Sequence, residues 1–445
     1  MSAIYSLKFS PKFIQTVCFL LVILSYLTTP FLNVIAAVIS ALYLLSSVSW
    51  QDKFSVFFFV FPFAPVMKYN PEATSIFLVL RFAIIISALI YSNKIFNNPK
   101  IYLSLFFMIL YDIVVSLGNE GEFFLRLLNL SLWLVIIYCM QAIMTEDDML
   151  PVSRSFVNGM IISSIVGMNL DKIPNMRRAV RDLSLYVNAE LVDSRFTGLF
   201  NDPNFYTVLV CVCLWICFIE FKKGNISTME FAIRNLIVTF FGTMTYSKSC
   251  VILLVLFWMY VFLSRSTIKF STKFVVGIAF SIFVIYFFLI NSDWLTNMNA
   301  RFGMESRTAD SLTTGRTTIW MNYLKYMYTT GSWVWGNGLS FLFPYGRGSH
   351  NTIIQCFYCV GVVGTCIHCM FIKKIYRATP REQLEVKPSG DSIVFLGFIF
   401  LTMFFLDALF QETYYYALSF CFVYMKKYAN TSELELPQRN LVNKF

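Results

Sequence analysis

Four polar clusters in this chain carry chemistry that the rest of it lacks. They are Arg195-x-x-Gly198-x-x-Asn201-Asp202-Pro203-Asn204, then Tyr246-Ser247-Lys248, Gly315-Arg316-Thr-Thr-Ile-Trp320 and Ser349-His350-Asn351. The planar guanidinium of arginine presents a fork that matches phosphate oxygens bidentately, so Arg195, Arg301 and Arg316 point to an anionic ligand. Ordinary solvation of a loop accounts for the same residues, and that alternative stays open beside it. Asn351 also has a purely structural reading, because an Asn before an apolar helix caps its unsatisfied N–H groups.

The elements that must position these clusters are membrane helices. The chain has 445 residues, 57% hydrophobic, 18% aromatic and only 13% charged, with a mean hydropathy of +0.65. A soluble chain of this length would divide into two or three domains, whereas an apolar fraction this high predicts an all-α polytopic membrane protein. About 12–14 transmembrane segments of roughly 15 to 22 residues are expected. They fall near 13–29, 32–49, 54–68, 74–92, 101–117, 123–144, 156–169, 203–220, 229–246, 249–264, 273–290, 351–372, 392–409 and 411–425. Segments 54–68 and 156–169 are short, which suggests a tilted or re-entrant pair. The first segment has no small-residue cleavage site and reads as a signal-anchor.

This divides the chain into N-terminal membrane helices (1–169), a first extracytoplasmic loop (170–202) and central helices (203–290). A large extracytoplasmic loop (291–350), C-terminal helices (351–427) and a cytoplasmic tail (428–445) follow. Lys8, Lys12, Lys53, Lys94, Lys100, Arg154, Lys222, Lys223, Lys373, Lys374 and Lys426 all fall on one side of this arrangement. That side is expected to be the cytoplasm, with both termini there. The formal net charge of +10 is mostly this bias. Basic residues scattered among loops without a recognition motif give no support for nucleic-acid binding.

Within the large loop, Ile319, Trp320, Tyr323, Leu324 and Met327 recur at helical spacing, which predicts an amphipathic helix over 317–328 lying on the membrane with its aromatic side down. Gly331, Gly336 and Gly338 then mark irregular backbone. Cys356, Cys359, Cys366, Cys369 and His368 approach a zinc spacing. They lie in an apolar segment with Gly361 and Gly364, where small residues serve close helix packing, so no metal is expected there. Arg81, Asp112, Arg126 and Asp407 are charges inside apolar segments, which are costly and usually face a cavity. An Arg81–Asp112 pair would be a structural solution; a groove lined by Arg81 or Arg126 is the alternative.

The order of these clusters resembles the O-antigen polymerase and ligase superfamily. The likeness rests on the Arg195–Asn204 motif opening a span, Thr245-Tyr-Ser247-Lys248 at a span end, and a long loop with Gly315-Arg316-x-x-x-Trp320, Gly336-Asn-Gly338 and Ser349-His350-Asn351. Gly361-x-x-Gly364 follows. It covers about residues 190–370, and the first half matches in span count alone. Where the family often carries Arg, this chain has Lys248, which keeps the charge and loses the fork.

The resemblance implies a membrane-embedded glycosyltransferase of the hexosyltransferase type at the periplasmic face of a bacterial cytoplasmic membrane. Its donor and acceptor would be oligosaccharides on polyprenyl pyrophosphate. Cleavage of the anomeric C–O bond releases a pyrophosphate whose growing charge arginines can neutralise. Arg195 is then the catalytic arginine, with Arg316, Arg301, Arg81, Lys248, Asn201, Asp202 and Asn204 binding pyrophosphate or substrate. His350, the histidine expected at that face, has the intrinsic pKa to take the acceptor hydroxyl's proton. No cofactor or metal is expected, since no Asp-x-Asp motif is present. Asp202, Asp193, Glu190, Glu305 and Asp310 share the face and leave metal assistance open.

The acceptor separates the functions within this superfamily. A polymerase extends a lipid-linked repeat, and a ligase transfers the polymer to lipid A core. The polymerase is favoured on the 48 Phe residues. Partners would be membrane lipids and a chain-length regulator in the same membrane. A transporter or flippase of such lipids would show internal repeats and midplane charges, and no repeat is visible.

Overall fold

The computed structural model describes residues 9–70, 73–118, 123–180, 195–263, 277–278, 315–339, 348–377 and 390–425. The first group of helices comprises α1 (Pro11–Leu27), α2 (Phe31–Leu45), α3 (Trp50–Val60), α4 (Leu78–Tyr91), α5 (Pro99–Ser116), α6 (Phe123–Ile143) and α7 (Met149–Gly167). After the short α8 (Pro174–Val180) come α9 (Pro203–Lys222), α10 (Thr228–Thr243) and α11 (Lys248–Leu263). Then follow α12 (Arg316–Thr330), α13 (Thr352–Tyr376), α14 (Gly390–Met403) and α15 (Glu412–Met425). Among the described residues there is no strand.

Helix starts follow from local sequence. Ser10, Ser49 and Ser227 accept from the backbone N–H of Phe13 (3.2 Å), Asp52 (3.2 Å) and Glu230 (3.1 Å), satisfying donors that the helix itself leaves orphaned. Pro11, Pro99 and Pro203 open α1, α5 and α9, where a missing N–H costs nothing. Among the described residues, five helices, α5, α6, α7, α9 and α13, are long and apolar enough to cross a membrane; α1, α2, α4, α11 and α14 are apolar but shorter.

Burial sorts these helices into hub and rim. The apolar window of α9 is 89% buried, while that of α5 is 22% buried. A helix apolar on all sides belongs in the middle, and α9 packs on α7, α10, α11, α14 and α15. Leu103, Phe106 and Phe107 of α5 instead face outward, the surface a lipid environment would cover. Aromatic rings fill the centre: Phe61 meets Tyr416 edge-on at 4.6 Å, and Phe58 lies 4.6 Å from Phe420.

Several expected segments change shape. The segment at 54–68 is α3 followed by a 3₁₀ turn, Phe61–Val66, because Pro62 and Pro65 cannot continue an α-helix. The segment at 156–169 is longer than expected, starting at Met149. The segment at 392–409 ends as a helix at Met403, and a 3₁₀ turn, Ala408–Phe410, follows Asp407. Apart from Gly277 and Ile278, the segment at 273–290 lies outside the described residues, as does Arg301.

The amphipathic helix forms as α12, but its stripe packs on protein. Tyr323 and Met327 are buried, and Tyr323 and Tyr326 lie 5.2 and 5.9 Å from the ring of Tyr358 in α13. Leu324, which shares the predicted stripe, is exposed.

Candidate functional site

The segment entering α9 is tied to the turn between α10 and α11. The Arg195 Nε donates to the carbonyl of Thr245 at 3.2 Å, and the Phe196 N–H to that of Met244 at 3.2 Å. Gly198 has φ 59°, and a Cβ there would sit 2.7 Å from the Tyr206 ring, so only glycine fits. Asp202 caps α9 by accepting from the Asn204 N–H at 2.6 Å. The Asn204 side-chain oxygen accepts from the hydroxyl of Ser247 at 2.9 Å, so this predicted ligand is committed to joining two motifs.

A second knot forms where α13 begins. The Asp407 carboxylate accepts from the backbone N–H of His350 at 2.9 Å, from that of Asn351 at 3.3 Å and from the Ser349 hydroxyl. Asn351 caps α13 through the Ile353 and Ile354 N–H groups, at 3.0 and 3.2 Å. The Trp320 indole donates to the Ser349 carbonyl at 2.9 Å, which fastens α12 to the same turn. The Thr352 hydroxyl accepts from the Ala408 N–H at 3.0 Å and donates to the Leu406 carbonyl at 2.6 Å.

Arg316 relates the two knots. Burial pushes its pKa down, while the Asp202 and Asp407 carboxylates push it back up. A guanidinium stays protonated through such a shift, and this one cation feels both the cap of α9 and the anchor of the α13 turn. Tyr246 and His350 are the non-glycine residues with positive φ among those described, at 48° and 49°. Backbone held in that region costs about 1–3 kcal/mol per residue and persists only where its surroundings enforce it. Both fall in the predicted motifs.

Beneath the second knot, α13 is broken. Gly361 has φ 66° and ψ −177°, which interrupts the helical hydrogen bonding, and Ser332–Gly338 docks into the gap. Val362 and Val363 donate to the carbonyls of Trp333 (2.9 Å) and Val334 (3.1 Å); Asn337 and Gly338 donate to those of Tyr358 (2.8 Å) and Cys359 (2.8 Å). The Tyr111 hydroxyl reaches both the Trp335 and Val360 carbonyls at 2.9 Å. Irregular backbone is tolerated at such a depth only when its polar groups find partners like these.

The remaining predicted residues divide. Asn201 is exposed, Asp202 and His350 are half-buried beside the knots, and the His350 imidazole makes no hydrogen bond among the described residues. Lys248 is half-buried at the first position of α11. Arg81 has protein partners of its own. It is buried in the bundle, pairs with Glu412, donates to Asn129 at 2.9 Å and lies over the rings of Phe77 and Trp133. The suggested Arg81–Asp112 pair is not formed, because Asp112 accepts the His368 Nε2 at 3.0 Å. Arg126 donates to the Leu339 carbonyl at 3.3 Å, holding the end of the docked loop.

Asp407 was legible only as a charge in an apolar segment; its partners are more than fifty residues away in sequence. No protein-family model, curated protein or solved structure matches this chain.

Proposed function

We propose that this chain is a membrane-embedded glycosyltransferase that joins polyprenyl-pyrophosphate-linked oligosaccharides, acting as an O-antigen polymerase at the periplasmic face of a bacterial inner membrane. One observation carries the reading. Arg316 feels both Asp202, which caps α9, and Asp407, which holds the Ser349–Asn351 turn. A cation that feels the carboxylate anchoring a turn with a half-buried histidine suits a reaction that builds negative charge at one end and frees a proton at the other.

In this scheme the acceptor hydroxyl attacks the anomeric carbon and its proton passes to the His350 imidazole. The bond from the anomeric carbon to the pyrophosphate oxygen breaks, and the electron pair leaves with the pyrophosphate. Arg195 and Arg316 neutralise that charge as it grows. The Asp407 carboxylate sets the direction of His350 through its backbone and does not itself take the proton. Both termini are cytoplasmic in this arrangement, and a chain-length regulator is the natural membrane partner.

The lipopolysaccharide banding pattern of a deletion strain tests the reading. Loss of a polymerase leaves a core bearing one repeat unit. Bare core with polymer retained on the polyprenyl lipid identifies a ligase instead. An unchanged ladder with no accumulated lipid-linked sugar refutes both.

A further inference from the structure

The loop that fills the break in α13 is held by a helix from the rim of the bundle. α5 is the least buried of the five membrane-length helices, yet one side of it carries Tyr111, Asp112 and Ser116. Tyr111 shares its single hydroxyl proton between the carbonyls of Trp335, in the loop, and Val360, at the break, each at 2.9 Å. The ring fits there because residue 364 is glycine: a Cβ would lie 2.5 Å from it. Where the loop ends, the Ser116 hydroxyl accepts the Leu339 N–H at 2.9 Å. Asp112 takes the His368 Nε2 at 3.0 Å and so ties α5 to the lower half of α13. In lipid, apolar faces give helices little reason to prefer one register, and polar contacts like these choose it.

Chain order decides what the loop positions. α12 runs directly into the docked segment at Ser332. At its other end α12 begins with Arg316 and is fastened by the Trp320 indole to the Ser349 carbonyl. Between the two, Tyr323 and Tyr326 rest on Tyr358 of α13. α12 is therefore a splint of 15 residues, about 22 Å long, laid along the upper half of α13 with both ends pinned. A helix is stiff along its axis, so a slip at the docked end is felt at Arg316. We infer that Tyr111 is a positioning residue for Arg316: its hydroxyl locks the loop into the break in α13, and α12 carries that register to the guanidinium. The inference rests on the transferase reading for what Arg316 does, and adds the residue that fixes where Arg316 stands.

The test uses the full chain in nanodiscs. Tyr111→Phe keeps the ring over Gly364 and removes the hydroxyl. Ser116→Ala is a milder change at the end of the loop and serves where the first variant fails to fold. Amide exchange should quicken about tenfold across 333–338 and at Val362 and Val363, the effect of one or two lost hydrogen bonds, while α9 keeps its rates. Phenylglyoxal should modify Arg316 about tenfold faster by the same opening, with Arg195 as the unchanged reference. For transfer, kcat should fall about tenfold with KM within about twofold, because Arg316 meets charge that grows only in the transition state. Tyr102→Phe removes another hydroxyl–carbonyl bond of α5, to Ile95 at 3.0 Å, and should leave the loop, Arg316 and transfer unchanged.

Wild-type exchange and wild-type Arg316 modification in both Tyr111→Phe and Ser116→Ala overturn the assignment. Faster exchange with Arg316 reactivity unchanged also overturns it, since the loop then moves without the cation. So does a kcat loss that Tyr102→Phe matches. The two ideas fail separately. Faster Arg316 modification with normal transfer keeps Tyr111 as the positioning residue and removes Arg316 from the reaction. A wild-type protein with no transfer sinks the transferase reading, and the Arg316 modification rate still decides the role of Tyr111.

Discussion

Replacing Asp407 with Asn isolates the contact that organises the candidate site. In the native carboxylate one oxygen accepts the Ser349 hydroxyl and the Asn351 N–H, and the other accepts the His350 N–H at 2.9 Å. The amide of Asn keeps one acceptor. Its NH2 group must then face either the His350 N–H or the other two donors, and donors do not pair with donors. Leaving the His350 N–H unsatisfied costs about 1–3 kcal/mol, and losing the charge on the remaining bonds costs about 1 kcal/mol more.

His350 also sits at φ 49°, a conformation that these bonds enforce, so weakening them releases roughly 1–3 kcal/mol of strain toward an open turn. The combined bias of about 3–7 kcal/mol is enough to make the open turn dominant if the closed turn is favoured by less than that. Transfer from a lipid-linked donor should fall on the order of a hundredfold or more, and chemical modification of His350 should speed up. Thermal unfolding of the purified protein should change far less than activity, because the turn lies at the end of α13 rather than in the α9 hub. An Asp407→Asn protein with wild-type transfer and unchanged His350 reactivity refutes this account of the turn.

Gly361→Ala should be among the most destabilising single changes. Its Cβ would lie 2.3 Å from the Val334 carbonyl oxygen, at a φ/ψ that is essentially glycine-only. A thermal shift in detergent should show a drop of several degrees, whereas Gly397→Ala in α14, where nothing lies within 4 Å of the added Cβ, should be nearly silent. Arg195→Lys should lose nearly as much transfer as Arg195→Ala, roughly a hundredfold, since the fork goes with the guanidinium; near-normal polymer from either variant at equal expression removes Arg195 from the reaction. His350→Gln should bind donor yet transfer about a hundred- to ten-thousandfold more slowly, with single lipid-linked repeats accumulating. Arg81→Ala leaves Glu412 unpaired in the bundle and should cost about 3–5 kcal/mol of stability, while Arg81→Ala with Glu412→Gln recovers part of it. Recovery measured by unfolding, with donor affinity unmoved, keeps Arg81 out of the site.

Composition and local pattern settled the class of this protein by themselves. A run of apolar residues in lipid has no backbone partner except its own helix, so hydropathy alone specifies helices at α5, α6, α9 and α13. Caps were equally local: Asp202 and Asn351 are two or three residues from the N–H groups they satisfy. The motif residues could be picked out because polar side chains are conspicuous in such a chain.

What sequence left open was every decision made between segments. Arg81 reads the same whether it faces a groove or Glu412, since its partner lies 331 positions away. Asp112 meets His368 and Asp407 meets His350 for the same reason, across 256 and 57 positions. Gly361 reads as a packing glycine until the loop at Trp333–Gly338 arrives to take the hydrogen bonds of the broken helix. Helix formation is a short-range property of the backbone, whereas the partner of a buried charge or an opened carbonyl is chosen by which helices pack together, and that only the tertiary structure decided.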